Sequence, residues 1–473
     1  MKKLVAFLTL CIISQLAFAE VKLPAIFSDN MILQQQMDAP IWGWTNAGET
    51  VSITTSWNNK TYETKANGEG EWNVKVSTPE AGGPYSITIS DGQEMSLENV
   101  LIGEVWLCSG QSNMEMPLKG FPAQPVIAGN EAIVNSKNST IRLITVPRKS
   151  TVEVAKDFEG QWEEAKPSTT SNFSATAWFF GTQIQRVLDV PVGLIHVSYG
   201  GSNIEAWMSE AMLEDFKEEI TIPQQQEDID VPNRTATALF NGMLSPVIGY
   251  GIKGAIWYQG ESNNGRPEQY EELMVTMVRE WRELWDEGEF PFYYCQIAPF
   301  NYGMFNPNEV IEKNNSAYLR DAQRKATQRI SNSGMAVLMD IGEKENIHPA
   351  DKKAGGQRLA YLALNKTYGV EGFEYTSPEF EAMEIKGSTV IVAFDHVPNG
   401  ITVYGKEVTN FEIAGEDRVF HPATAVLRRK SVILSSPQVE KPVAVRYAFK
   451  DFTVGEIFST GGLPLSSFRT DDW

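Results

Sequence analysis

Between about Asn99 and Tyr368, apolar strand-like runs alternate with amphipathic helical patterns, and nothing else in the chain restricts its fold as tightly. Such alternation argues for a mainly parallel sheet covered by helices, because strands separated by helices return to the sheet through crossovers. The strand-like runs include Val105-Trp106-Leu107-Cys108, Val192-Gly193-Leu194-Ile195-His196-Val197-Ser198, Ile252-Lys253-Gly254-Ala255-Ile256-Trp257-Tyr258 and Met335-Ala336-Val337-Leu338-Met339. Helical spacing recurs at Ala175 to Leu188, at Asn315 to Ile330, and at Tyr270, Leu273, Met274, Met277, Val278, Trp281 and Leu284 after Pro267.

The texture differs on either side. From Glu20 to about Glu98, Val51-Ser52-Ile53-Thr54-Thr55 and Tyr85-Ser86-Ile87-Thr88-Ile89 alternate between turn signals at Asn58-Asn59 and Asn67-Gly68, the pattern of a small β-sandwich. After Tyr368, Val390-Ile391-Val392-Ala393-Phe394, Ser431-Val432-Ile433-Leu434 and Ala444-Val445-Arg446-Tyr447-Ala448-Phe449 indicate a second β-rich unit. Three domains are therefore expected, at 20–98, 99–368 and 369–473, which suits 473 residues of which 42% are hydrophobic.

Residues 1–19 read as a secretory signal: Lys2-Lys3, an apolar stretch from Leu4 to Ile13 too short to span a bilayer, and Ala17-Phe18-Ala19 as a cleavage site. An exported protein, periplasmic or extracellular, is the expectation. Cys11 would leave with the signal. Cys108 and Cys295 lie in strand-like runs and are expected to be buried free thiols. Cys and His never cluster at ligand spacing, so neither a metal nor another cofactor is expected. Without Lys2 and Lys3 the 40 basic residues fall to 38 against 60 acidic ones, moving the formal charge from −20 to −22. Nucleic acid and anionic membranes are poor partners for such a surface. The sequence is silent on oligomeric state.

Ser112 follows the Val105 to Cys108 run through the turn Ser109-Gly110-Gln111, which would place its hydroxyl at the carboxyl edge of a sheet, where open α/β sheets bind ligands. No Gly-x-Ser-x-Gly elbow is present, so the lipase-type arrangement is disfavoured. A serine needs a base, and the chain has four histidines. His196 lies inside a buried strand, and His396 and His421 fall in the C-terminal β region. His348 sits in a polar loop, Asp340 to Pro349, between the Met335 to Met339 strand and a helix beginning near Ala354. Glu345, three positions earlier, is placed to hold the ring Nδ1–H. Two further loops end strands in the same manner: Tyr199-Gly200-Gly201-Ser202-Asn203 and Gln259-Gly260-Glu261-Ser262-Asn263. Acyl transfer passes through an oxyanion, and the candidate donors are Ser112 N–H, the Gly200 or Gly201 N–H and the Gln259 or Asn263 amide.

Phe27-Ser28-Asp29-Asn30-Met31-Ile32-Leu33-Gln34, Gly103 to Met114, Asn241-Gly242-Met243-Leu244-Ser245-Pro246, Lys253 to Asn263 and Ile347-His348-Pro349 together resemble the sialate O-acetylesterases, serine esterases of the SGNH-hydrolase superfamily. The resemblance runs from about Phe27 to the carboxyl terminus. It implies an SGNH-hydrolase-like three-layer α/β sheet of mainly parallel strands flanked by N- and C-terminal β-sandwich-like units. It further implies Ser112 as nucleophile, His348 as base and then acid, and Gly201 or Gly200 with Gln259 and the Ser112 N–H around the oxyanion. The superfamily usually carries aspartate where this chain has Glu345, so either the longer acid completes a triad or a Ser–His dyad operates.

The implied substrate is an O-acetylated sugar, with sialic acid foremost and xylan or another acetylated glycan as the alternative. Sialic acid is an anion, so a local cation would have to offset the acidic surface, and Arg148, Arg266, Arg320 and Arg324 are the candidates. A non-catalytic carbohydrate-binding module is the rival from another class. A glycoside hydrolase using Glu343 and Glu345 is disfavoured, because paired catalytic carboxyls must flank the substrate.

Overall fold

The computed structural model describes residues 21–305 and 315–473, so the signal read at residues 1–19 lies outside it. The central strands are β1 (Glu94–Gly110), β2 (Asn138–Thr145), β3 (Val192–Ser198), β4 (Gly254–Tyr258), β5 (Phe292–Cys295) and β6 (Ser333–Ala336). They lie in the order β2-β3-β1-β4-β5-β6 with every neighbouring pair parallel, and a short antiparallel strand, Glu163–Ala165, edges β2.

These strands are apolar on both faces because both are covered. Side chains alternate across a strand, so Val105 and Leu107 of β1 join a core with Tyr270, Leu273, Met277 and Trp281 of the Pro267–Trp285 helix. Trp106 and Cys108 join Trp178, Phe180, Leu359 and Leu362 on the opposite face. The helices concerned, with the short one that begins at Ser112, are α1 (Ser112–Glu115), α2 (Ala175–Leu188), α3 (Pro267–Trp285), α4 (Asn315–Arg329) and α5 (Lys352–Lys366). Helices α2 and α5 pack together, as do α3 and α4. Cys108 and Cys295 are both buried and unbridged.

The boundary expected between residues 98 and 99 falls inside β1, a single strand of 17 residues. Its first half pairs antiparallel with Gly82–Ser90 and parallel with Ile32–Gln34, whereas its second half pairs with β3 and β4. The texture changes there because the strand's partners change, not because the strand ends. Upstream lie the antiparallel Thr50–Thr55, Lys60–Lys65 and Gly82–Ser90, together with the Asp38–Trp44/Glu71–Ser77 pair.

Downstream, two four-stranded antiparallel sheets and the short Ile401–Thr402/Phe458–Ser459 pair form the C-terminal β region. Helix α4 ties that region to the α/β unit. Arg320 donates from Nε to Ser467 Oγ at 3.1 Å and also bonds the Lys450 carbonyl, and Asp321 pairs with both Arg324 and Arg469. Arg320 and Arg324 are therefore structural cations, not substrate contacts.

Register aligns the functional loops. Gly110 at the end of β1 lies opposite Ser198 of β3 and Tyr258 of β4, so three chains leave the sheet at one level. Gly110 has φ +143°, and a Cβ there would stand 2.2 Å from the Tyr258 carbonyl oxygen. Only glycine fits both the backbone angle and the space. Gly110→Ala is expected to lower the unfolding free energy by at least ~2 kcal/mol, read as a fall in the urea midpoint; an unchanged midpoint would show that the turn adapts.

Candidate active site

Beyond Gly110 the chain takes one extended residue, Gln111, and enters α1 with Ser112 as its first residue. Gln111 fastens this turn to the loop after β4: its N–H donates to the Tyr258 carbonyl at 2.9 Å, and its Oε1 accepts from the N–H groups of Gly260 and Ser262 at 3.2 and 3.3 Å. The loop after β6 is closed by its own side chains. Asn346 accepts the His348 N–H at 3.0 Å and returns a bond to the His348 carbonyl at 2.8 Å, while Glu343 accepts the Ala350 N–H at 2.7 Å.

His348 Nε2 stands 2.8 Å from Ser112 Oγ, although the two residues are 236 positions apart. The other ring nitrogen, Nδ1, meets Gln124 Oε1 at 2.6 Å, and Phe121 presents its ring to the imidazole at 5.4 Å between centroids. A carbonyl oxygen only accepts, so Nδ1 carries the proton and Nε2 is left to accept from the serine hydroxyl. That tautomer is the one a general base requires.

Glu345 does not take the place expected for it. It is exposed and makes no bond to the ring, whose partner is a neutral amide from a distant loop. Three residues of spacing brought Glu345 near in sequence, but the loop is closed by the two hydrogen bonds between Asn346 and the His348 backbone, and Nδ1 faces Gln124. Glu343 is engaged in loop closure and Glu345 points to solvent, so these two do not form the acid pair that glycoside hydrolysis would need. Burial, reinforced by the charge of Lys352, pulls the His348 pKa down to about 4.

The candidate oxyanion donors also separate. Gly200 is pressed against Ser112, yet its N–H donates to Glu115 Oε2 at 2.9 Å. Gln259 is fully buried, and its amide donates to the Ser202 carbonyl at 3.0 Å and to Asn263 Oδ1 at 2.7 Å, which uses both protons. Neither is free to meet an oxyanion. Ser112 N–H and Gly201 N–H have no acceptor among the described residues. Asn263 Nδ2 gives one proton to Glu205 Oε2 at 2.9 Å and keeps the second. Ser112, Gly201 and Asn263 are thus the available set. Gly201 has φ +72°, with Asn233 Nδ2 2.8 Å from where a Cβ would lie.

Both remaining arginine candidates are already paired. Arg148 grips Glu115 through Nε and a terminal nitrogen, each at 2.6 Å, and lies over the Tyr199 ring. Arg266 bonds Glu205 at 2.5 Å. His196 is buried beside Ser198, its pKa lowered by burial to about 4, and plays the structural part read for it. Sequence reasoning missed Gln124, 224 positions from His348 in a stretch without periodicity, and gave no role to Asn113 or Lys352. Gln124 left no signal at all. Asn113 stood inside the Gln111-Ser112-Asn113 step, and Lys352 stood four residues after the histidine.

Comparison with known proteins finds the chain similar to carbohydrate esterases. A family model described as carbohydrate esterase, sialic acid-specific acetylesterase, matches residues 102–364. The human sialate O-acetylesterase is 27% identical over 419 residues, covering 82% of this chain and 78% of its own length. The rat enzyme of the same name is 27% identical over 453 residues, covering 82% and 81%. The crystal structure of a carbohydrate acetylesterase from Xanthomonas citri superposes with a TM-score of 0.86 at 33% identity, covering 96% of this chain and all of that one.

Gln124→Ala leaves a partly buried ring N–H without its acceptor, a loss of about 1–3 kcal/mol. Esterase activity is expected to fall about 5- to 150-fold in kcat. Gln124→Glu should act differently: a carboxylate favours the imidazolium, so the His348 pKa rises and the acid limb of the pH–rate profile moves to higher pH. Measuring kcat/KM from pH 4 to 9 for both variants checks this, and unaltered profiles would remove Gln124 from the site.

Proposed function

This chain belongs to the carbohydrate esterase family of sialic acid-specific acetylesterases, hydrolases of carboxylic esters, and on that premise we propose that it removes O-acetyl groups from sialic acid through an acetyl-serine intermediate. The observation that carries the reading is the 2.8 Å contact between Ser112 Oγ and His348 Nε2 at the carboxyl edge of the sheet. The α/β unit then corresponds to an SGNH-type sheet between two helix layers, supported by the separate cores on its two faces.

In the first half-reaction Ser112 Oγ attacks the acetyl carbonyl carbon while His348 Nε2 takes the hydroxyl proton. The carbonyl oxygen becomes an oxyanion among the Ser112 N–H, the Gly201 N–H and the free proton of Asn263 Nδ2, donors that are each worth roughly 10²- to 10³-fold in rate. Collapse breaks the bond to the sugar oxygen, which leaves with the proton from His348. Water then attacks acetyl-Ser112, His348 takes its proton, and the second collapse returns that proton to Ser112 Oγ and releases acetate. Gln124 keeps the ring in one tautomer throughout. No step calls for a cofactor.

Sialic acid as the sugar is supported by the family and by the names of the relatives. Its carboxylate needs a cation not already committed. Arg234 is exposed, has no carboxylate partner among the described residues, and reaches back to the Gly201 carbonyl with Nε at 3.4 Å, one residue from the glycine packed on Ser112. Export to the periplasm or beyond the cell is part of the same proposal, supported by the pattern of residues 1–19.

Two measurements test the reading. Ser112→Ala should abolish acetate release from p-nitrophenyl acetate and from 9-O-acetylated sialic acid; retained hydrolysis refutes the mechanism. Arg234→Gln should raise KM for the sialic acid ester about tenfold, the worth of a charge-assisted bond, and leave KM for acetylated xylo-oligosaccharide unchanged. A preference of the unaltered enzyme for the xylan substrate would overturn the choice of sugar and leave the chemistry standing.

A further inference from the structure

Lys352 is a buried cation for which the reaction just described has no use. It opens α5, is 2% exposed, and sits one residue after Asp351, whose side chain caps the helix by accepting the Ala354 N–H at 3.0 Å. Two physical rules count against it. An ammonium loses its hydration on burial, and the amino end of a helix carries positive charge that disfavours a further cation. An apolar side chain of similar length would avoid both costs, so the lysine must be held by what it contacts.

Its Nζ donates to Asn113 Oδ1 at 2.6 Å and to the Pro349 carbonyl at 2.7 Å. Asn113 follows the nucleophile directly and is 0% exposed. Its Nδ2 donates to Glu261 Oε1 at 2.5 Å and to the Ile347 carbonyl at 3.1 Å, and its own carbonyl accepts from Thr176 Oγ1 at 3.0 Å. One amide thus stands between a buried carboxylate and a buried ammonium. The two carbonyls held by this group belong to the residues immediately before and after His348. Nucleophile turn, β4 loop and histidine loop meet at a single point.

We propose that Lys352 is a positioning residue of the esterase site: its buried ammonium, balanced by Glu261 across Asn113, fixes the peptide carbonyls flanking His348 to the nucleophile turn and sets a positive charge beside the imidazole. The proposal rests on the reading of Ser112 and His348 as the reacting pair. It gives the lysine two separable effects. The hydrogen bonds fix the distance from Nε2 to Oγ, which governs kcat. The charge adds to burial in disfavouring the imidazolium, which helps keep the base deprotonated in mildly acidic medium.

Other charged groups surround the pair. His348 shares its loop with Asp340, Glu343, Lys344 and the exposed Glu345, faces α1 with its Glu115–Arg148 pair, and has the neutral Gln124 amide at Nδ1. Lys352 is faced by Glu261, the Cys295 thiol, Glu343 and Asp351, and with burial opposing them its pKa is lowered to about 7. Burial and, after it, the charge of Lys352 act against the protonation of His348.

The test compares Lys352→Met, which keeps the length and removes the charge, with Lys352→Arg, using p-nitrophenyl acetate from pH 4 to 9 with kcat and KM resolved and Ser112→Ala in parallel. Lys352→Met is expected to lose about tenfold or more in kcat with KM within about twofold, and its acid limb should move up by about one pH unit. Lys352→Arg should restore the limb while recovering only part of kcat. A Lys352→Met enzyme with an unmoved limb, and with activity reduced only in proportion to its folded fraction, overturns the proposal.

Should Lys352→Met fail to fold, the unaltered enzyme decides. With four histidines in the chain, the His348 ring can be followed by NMR. It should remain neutral down to about pH 5, and protonation near the ordinary 6.5 sinks the idea. Hydrolysis surviving in Ser112→Ala would remove the reading of the site and the proposal together, whereas an inactive Ser112→Ala with an unshifted Lys352→Met profile removes the proposal alone.

Discussion

The site depends on three parallel strands ending at one level. Because Gly110, Ser198 and Tyr258 are register partners, the loops that leave β1, β3 and β4 start side by side, and each needs only a few residues to reach the same point. Parallel pairing alone would leave those loops to wander. They are held by side chains that run between them: Gln111 to the β4 loop, Glu115 to Gly200, and Asn113 to both Glu261 and the histidine loop. The residues on either side of Ser112 are thus the fasteners of its neighbours. The strand rigidly sets the height of the site, and the Gln111 to Glu115 segment sets its width.

The neutral partner of His348 changes the electrostatics of the proposed reaction. A carboxylate at Nδ1 would stabilise the imidazolium that forms when the serine proton is taken. Gln124 fixes the tautomer equally well but brings no charge, and burial with Lys352 then holds the pKa at about 4. By Brønsted reasoning a base of low pKa accepts a proton less readily at neutral pH and returns it more readily to a leaving alcohol. Such a balance suits acidic surroundings, in which a base near its ordinary pKa would be largely protonated and idle.

How far the sequence spoke depends on how local the determinant was. The βα alternation, the strand before Ser112 and the loop bearing His348 were legible because apolar runs and their endings are local patterns. The 98/99 boundary was not, because one continuous strand serves two sheets and pairing leaves no mark on composition. Glu345 was misplaced because proximity along the chain says nothing about which way a closed loop turns its ring. Gly200 and Gln259 have the right chemistry for an oxyanion but spend their protons elsewhere, which only the three-dimensional hydrogen-bond inventory reveals.

The formal charge of −20 suggests at first a site hostile to an anionic sugar. Charges more than about 8–10 Å away are largely screened at physiological ionic strength, so the local inventory matters more. Each of the three carboxylates organising the site has its own cation: Glu115 with Arg148, Glu205 with Arg266, and Glu261 with Lys352 through Asn113. These acids hold the glycine loop, the Asn263 amide and the Ser112 turn, and their partners offset the field they would otherwise cast there. Each organising acid is thereby matched by a cation within a strongly acidic protein, which leaves a preference for a charged sugar to a residue at the rim of the site.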